Sequence, residues 1–300
     1  MALRYDCGEV ITAMVTPMEK DGKIDYDKVE TLAKHLINSG SDALLVAGTT
    51  GESPCLTNEE EIELVNSVKR AVANKAKIIL GAGSNSTASA IEYSKFAQKE
   101  GVDAILSVVP YYNKPNQRGM IEHFSAIAQS TDLPIILYNI PGRTGVEMLP
   151  STVAFLASKY KNIVGLKQSC ADMDKITELK LACPEDFVIY SGDDSLTLPM
   201  LSIGVHGVIS VASHLFGSEI KSMIRNFKSG ELIAAQNMHK KLYPVFKKLF
   251  FAPNPIPVKA ALAYKNLIEE YVRKPLTVLS EDEKMDLYRV IDSVKAELGE

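Results

Sequence analysis

The chain has no tryptophan, only four cysteines and five histidines among 300 residues, and no excess of either charge, its formal net charge being -4. Each scarcity excludes something. Cys7, Cys55, Cys170 and Cys183 show neither CxxC nor Cys/His ligand spacing, which argues against a disulfide scaffold or a structural zinc site and fits reduced, partly buried thiols in the cytoplasm. His35, His123, His206, His214 and His239 include no HExxH or comparable pairing, and Asp193-Asp194 without further ligands reads as a helix cap, so no metal is expected. Lys and Arg are scattered among Asp and Glu, and same-sign runs such as Glu59-Glu60-Glu61 are short enough to be solvated helix faces. No basic stripe invites nucleic acid. There is also no run of about 20 apolar residues to cross a membrane, and the first residues carry early charges where a secretory signal needs an apolar stretch.

What is present is a repeating pattern. The composition, 46% hydrophobic and 23% charged, is enough to bury a sizeable core. Eight short apolar, β-branched runs recur: 10–15, 43–47, 78–81, 104–109, 135–138, 163–166, 187–190 and 208–211. Nearly all lack polar alternation, as parallel strands buried on both faces do, and each leads through turn residues into a segment with helical period. Thr57 and Glu60 have capping-box spacing, and Gly40 and Gly101 stand just past helical stretches. An open doubly wound sheet would use similar units, but no GxGxxG follows the first run, and eight units suit closure into a (β/α)8 TIM barrel. That barrel is expected over residues 1–230. Beyond it the strand signals stop, and 232–250, 258–270 and 280–298 read as a helical domain over 231–300, its first two helices separated by Ala252-Pro253-Asn254-Pro255-Ile256-Pro257.

Barrel active sites lie at the carboxyl ends of the strands, so polar residues there carry functional weight. Lys167 follows the apolar Ile163-Val164-Gly165-Leu166, which would carry its amine inward, where desolvation disfavours the ammonium and leaves a nucleophile able to form an imine with a ketone. The alternative is a structural lysine paired to a carboxylate or snorkelling to solvent. Tyr138 ends another apolar run and either packs in the core or offers its hydroxyl as a proton carrier. Thr49 and Thr50, in Gly48-Thr49-Thr50-Gly51-Glu52, either pass a proton and bind a carboxylate or serve the turn. Of Tyr111 and Tyr112, adjacent in what reads as an extended segment, only one can serve a given site, leaving the other to an interface. Arg143, within Gly142-Arg143-Thr144-Gly145, is either a solvated loop residue or a fork for a carboxylate. The exits holding Gly192 and Ile209 read first as turn and packing residues, although Gly192 would let backbone approach a ligand and Ile209 could line it. Cys170, three residues past Lys167, fits an inert neighbouring role better than a reactive one.

Together these motifs resemble the pyruvate-dependent class I aldolase family of dihydrodipicolinate synthases and N-acetylneuraminate lyases, over almost the whole chain. The shared motifs are Gly48-Thr49-Thr50-Gly51-Glu52, Tyr138-Asn139-Ile140-Pro141 and the strand ending in Lys167; Pro110-Tyr111-Tyr112-Asn113, Gly142-Arg143-Thr144-Gly145 and Asn254-Pro255-Ile256-Pro257-Val258-Lys259 resemble the synthase branch. The resemblance implies that Lys167 forms an imine with pyruvate, and that Tyr138 shuttles protons through Thr49 and through Tyr112 from a neighbouring subunit. It implies that Thr50 and Ile209 contact pyruvate and that Arg143 holds the carboxylate of L-aspartate 4-semialdehyde. The implied product is 4-hydroxy-tetrahydrodipicolinate, on the route to diaminopimelate and lysine, made without a cofactor by a cytoplasmic homotetramer, a dimer of dimers. Ser53, Asn85 and Tyr111 match an allosteric pocket for L-lysine found in some members. Glu61 and Ser89 depart from the histidine and glutamate of lysine-sensitive members, so weak or absent lysine inhibition is expected. Two rivals stand: an aldolase for another 2-keto acid or sugar acid, and a non-catalytic barrel that binds a keto acid as a sensor or scaffold.

Overall fold

Each expected run becomes a strand in the computed structural model, which describes residues 3–299. The strands are β1 (Val10–Ala13), β2 (Ala43–Val46), β3 (Lys77–Gly81), β4 (Ala104–Val108), β5 (Ile135–Asn139), β6 (Ile163–Gln168), β7 (Val188–Ser191) and β8 (Gly207–Ser210). They form a closed barrel in sequence order, parallel at the pairings β1 to β2 and β3 through to β8. Every residue of β1, β2, β5, β6, β7 and β8 is buried, which is why the runs show no alternation. The early charged residues read against a secretory signal begin at Arg4; Met1 and Ala2 ahead of them lie outside the described residues.

Helices fill the connections. α1 (Tyr26–Asn38), α2 (Asn58–Val72), α3 (Thr87–Lys99) and α4 (Gln117–Ala128) follow the first four strands; a short α5 (Pro141–Thr144) and α6 (Pro150–Lys159) follow β5. α7 (Met173–Ala182), α8 (Thr197–Leu201) and α9 (Ser213–Lys228) follow β6, β7 and β8, and α10 (Leu232–Lys248), α11 (Ile256–Tyr264) and α12 (Glu281–Leu298) complete the chain. α1 buries Val29, Leu32, Ala33 and Leu36, one helical stripe. At the start of α2, Thr57 and Glu60 form the expected capping box. Gly40 and Gly101, at φ +107° and +63°, end their helical stretches in a backbone region that glycine enters freely. One helix begins earlier than the sequence predicts: α11 starts at Ile256, with Pro255 as its N-cap and Pro257 in its first turn, where a missing N–H costs nothing.

The chain clusters into two compact units. One holds Ile78–Ile209 with the N-terminal residues up to Gly8. There Arg4 ties the N-terminus down, donating to Asp186 at 2.9 Å and to the carbonyls of Ala157 at 2.6 Å and Ile163 at 3.2 Å. The other holds Glu9–Lys77 with the residues from Ser210 onward. Its interior contains a hydroxyl chain, in which Thr12 Oγ1 lies 2.6 Å from both Ser41 Oγ and Ser213 Oγ. Beside it is a fully buried histidine. His214 Nε2 accepts the Val15 N–H at 3.1 Å while Nδ1 donates to the Val211 carbonyl at 2.8 Å, and burial holds the ring's pKa down to about 4.

α11 differs from the other helices in being buried all round from Ile256 to Leu262. Within that apolar stretch Lys259 has no exposed surface; its Nζ donates to Glu52 Oε1 at 2.5 Å and to the Tyr271 carbonyl at 2.7 Å. Burial pulls its pKa below the usual lysine value, with the Glu52 charge opposing that shift. Arg273 adds a second tie, donating its backbone N–H to Glu52 Oε2 at 2.9 Å and its guanidinium to Glu60 and to the Cys55 carbonyl.

Candidate active site

β6 delivers Lys167 as its penultimate residue, 7% exposed, with Tyr138 of β5 and Tyr190 of β7 as its register partners. The Lys167 amine lies 4.5 Å from the centroid of the Tyr138 ring, and no carboxylate lies within ion-pair distance of it among the described residues. The structural alternative, a lysine neutralised by an acid, is therefore not what the fold builds here. An aromatic face at this distance supports a positive charge on that nitrogen by about 0.5–2 kcal/mol.

Gly192 explains itself against this lysine. A Cβ on it would fall 2.0 Å from Ser169 Oγ and 3.1 Å from Lys167 Cε, so only a glycine leaves room for both. Its N–H donates to the Gln168 carbonyl at 2.8 Å, holding the β7 exit beside β6. Asn139 organises the β5 exit. Its Nδ2 donates to Gln168 Oε1 at 3.1 Å and the Met148 carbonyl at 3.2 Å, and its Oδ1 accepts the Met148 N–H at 3.0 Å. That clamp defines the loop carrying Arg143, which sits in α5, exposed and free of side-chain partners among the described residues. Thr144 Oγ1 closes the loop, lying 2.7 Å from the Val146 carbonyl oxygen and 3.0 Å from that of Ile140. Ile209 is buried in β8 at 1% exposure.

The two tyrosines after β4 depart from expectation. The segment is not extended: Tyr112 takes a left-handed backbone at φ +70°, and the Asn113 N–H folds back onto the Tyr111 carbonyl at 2.8 Å. Asn113 Nδ2 anchors the bend on the Asn85 carbonyl at 2.8 Å. Tyr112 is thrust out at 88% exposure while Tyr111 is 40% exposed, so the division between them comes from a bend rather than from strand alternation. A bulky residue at positive φ costs on the order of 1 kcal/mol or more.

In the other unit, Thr49 and Thr50 lie in a tight turn after β2, where the N–H groups of Gly51 and Ser53 reach the Gly48 carbonyl at 3.1 and 3.3 Å. Thr49 is half-buried and Thr50 3% exposed. Glu52 ends the turn in a left-handed conformation, φ +60°. Of the residues matched to a lysine pocket, Ser53 opens a short 3-10 turn after Glu52, while Asn85 and Tyr111 belong to the first unit. Glu61 is buried, one carboxylate oxygen has no partner, and burial raises its pKa to about 7. Ser89 stands in the first turn of α3, its N–H on the Ser86 cap.

Three contacts are not foreshadowed by the sequence: in the first unit the Asn139 clamp and the Ser169 hydroxyl beside Lys167, and in the other the contact of Asn254 Nδ2 with Thr50 Oγ1 at 2.8 Å. An asparagine ending an apolar strand and a lysine inside the apolar α11 were the available signals.

A (β/α)8 barrel that sets a buried lysine next to last in its sixth strand puts an amine at the end of the fold where such barrels carry their active sites. The sequence comparisons agree: the model of the dihydrodipicolinate synthetase family matches residues 6–294. The 4-hydroxy-tetrahydrodipicolinate synthase of Desulforamulus reducens is 51% identical over 271 residues, 90% of this chain and 92% of that protein. The enzyme of the same name from Bacillus subtilis is 47% identical over 287 residues, 96% and 99% of the two chains. The crystal structure of the Cyanidioschyzon merolae protein with lysine bound superposes with a TM-score of 0.94 at 47% identity, covering 96% of this chain and 98% of that one. The chain belongs to the dihydrodipicolinate synthetase family.

Proposed function

We infer that the protein is a lyase that condenses pyruvate with L-aspartate 4-semialdehyde to give 4-hydroxy-tetrahydrodipicolinate, in lysine and diaminopimelate biosynthesis. Family membership over nearly the whole chain supports the reaction. The single structural observation that carries the chemistry is the buried, unpaired Lys167 amine against the Tyr138 ring. The amine adds to the pyruvate ketone and water leaves, giving a protonated imine. That cation draws electrons from the methyl carbon, which gives up a proton to become an enamine. The enamine forms a carbon–carbon bond with the aldehyde, whose own amine then attacks the imine carbon, closing the ring and freeing Lys167. No cofactor is needed, since the imine itself is the electron sink.

In this reading Tyr138 carries protons, with Thr49 and the Tyr112 of a neighbouring subunit extending the relay. The outward, strained placement of Tyr112 supports insertion into a partner. Thr50 and Ile209 contact pyruvate, and the free, exposed guanidinium of Arg143 takes the semialdehyde carboxylate. Gly192 keeps the space around Lys167 open. A cytoplasmic dimer of dimers fits this shared relay. No helix among the described residues is long and apolar enough to cross a membrane. For L-lysine, Glu61 and Ser89 stand in place of the histidine and glutamate of sensitive members, so weak or absent inhibition is expected; a lysine titration showing strong inhibition at low concentration would reverse that.

The substrate assignment is tested by offering the purified protein pyruvate with the semialdehyde and, separately, with a panel of sugar aldehydes. Turnover confined to the semialdehyde supports the reading. Preference for a sugar aldehyde moves the protein to another aldolase activity, and absence of both leaves a binding barrel.

A further inference from the structure

Thr50, read above as a pyruvate contact, is held by the segment that opens α11. Asn254 is 8% exposed and Thr50 3% exposed. Asn254 Nδ2 donates to Thr50 Oγ1 at 2.8 Å, in a buried contact between residues 204 positions apart. The same stretch grips the end of the turn: Lys259 and the Arg273 N–H occupy the two carboxylate oxygens of Glu52 at 2.5 and 2.9 Å. Both ends of Thr50-Gly51-Glu52 are thus fixed by residues 254–273, and the Gly51 carbonyl between them accepts from Thr16 Oγ1 at 2.7 Å.

A hydroxyl has one proton and two lone pairs, whereas an amide nitrogen can only donate. With one Thr50 lone pair taken by Asn254, the hydroxyl proton is left to point elsewhere. We propose that Asn254 is a positioning residue that fixes the Thr50 hydroxyl as a hydrogen-bond donor to the carboxylate of pyruvate. This rests on the reading of Thr50 as a pyruvate contact. The helical segment after the barrel then sets the polarity of a substrate-binding group as well as contributing to the core.

The test uses the full chain with Asn254→Leu, which keeps the branched outline without polar atoms, and Asn254→Asp, whose carboxylate accepts a hydrogen bond and takes the Thr50 proton for itself. Thr50→Val and the two double variants complete the set. A hydrogen bond to a charged partner is worth enough to change binding by about tenfold or more. Asn254→Leu should raise the pyruvate KM by about tenfold with kcat within about threefold, and Asn254→Asp should raise it further. The KM for the semialdehyde should stay within about twofold, since the effect is on one carboxylate only. In the Thr50→Val background neither substitution at 254 should move the pyruvate KM by more than about twofold.

An unchanged pyruvate KM in both single variants overturns the proposal, as does an undiminished effect when Thr50 is valine. So does a fall in kcat and melting temperature with no change in KM, which marks a purely structural contact. Borohydride trapping separates the two levels: wild-type protein that takes up no pyruvate overturns the function proposed above, whereas normal wild-type trapping with unaffected variants overturns only the role of Asn254.

Discussion

Replacing Lys259 by methionine should destabilise the protein far more than an ordinary surface substitution. The methionine fits the apolar surroundings of α11, but the Glu52 carboxylate, 3% exposed, loses the cation 2.5 Å from its Oε1 and keeps the Arg273 N–H and the weaker pull of the Arg273 charge. Leaving one member of a buried ion pair uncompensated costs about 3–5 kcal/mol. At about 2 °C per kcal/mol for a chain of this size, the melting temperature falls by roughly 6–10 °C. Adding Glu52→Gln removes the orphaned charge while its side-chain oxygen still accepts the Arg273 N–H, so the double variant should recover at least half of the loss. The assay is urea unfolding followed by circular dichroism at one fixed protein concentration. A loss below about 1 kcal/mol in Lys259→Met, or a double variant no more stable than that single one, would refute the argument that charge burial dominates here.

Acid should weaken the fold through His214, whose pKa is held down to about 4 by complete burial. Between the unfolded value near 6.5 and about 4, the unfolded chain binds a proton that the native ring does not, so stability rises with pH across that window and is lost as pH falls through it, by on the order of 3 kcal/mol. His214→Gln should flatten this part of the stability curve relative to wild type, and an unchanged slope would sink the assignment. Gly192→Ala should abolish most activity because its methyl group cannot coexist with Ser169 Oγ at 2.0 Å. Adding Ser169→Ala should restore part of that activity in steady-state turnover; no recovery would show that Gly192 matters for another reason.

The barrel was legible because burial on both faces leaves a simple trace: β2, β5 and β6 are buried at every position, and their sequences are apolar except where a strand ends in a polar residue. Lys167, Tyr138 and Asn139 stand at such ends, where the register sets Tyr138 beside Lys167 and Asn139 beside Gln168. The links made far along the chain were not legible. Lys259 inside α11 announces that a buried cation needs a partner, but nothing local says that the partner is Glu52, 207 residues away. Asn254 likewise reads as loop material until its amide is seen on Thr50. The bend at Tyr112 was hidden because a left-handed tyrosine is held by Asn113 against Asn85, a contact that residue propensities oppose.

The most direct test of the central claim is to incubate the protein with pyruvate, reduce with borohydride, and locate the adduct by peptide mass spectrometry. A single pyruvate-derived modification on Lys167, lost in Lys167→Ala, is the predicted result. An adduct on another lysine, or none under conditions of full turnover, would contradict it.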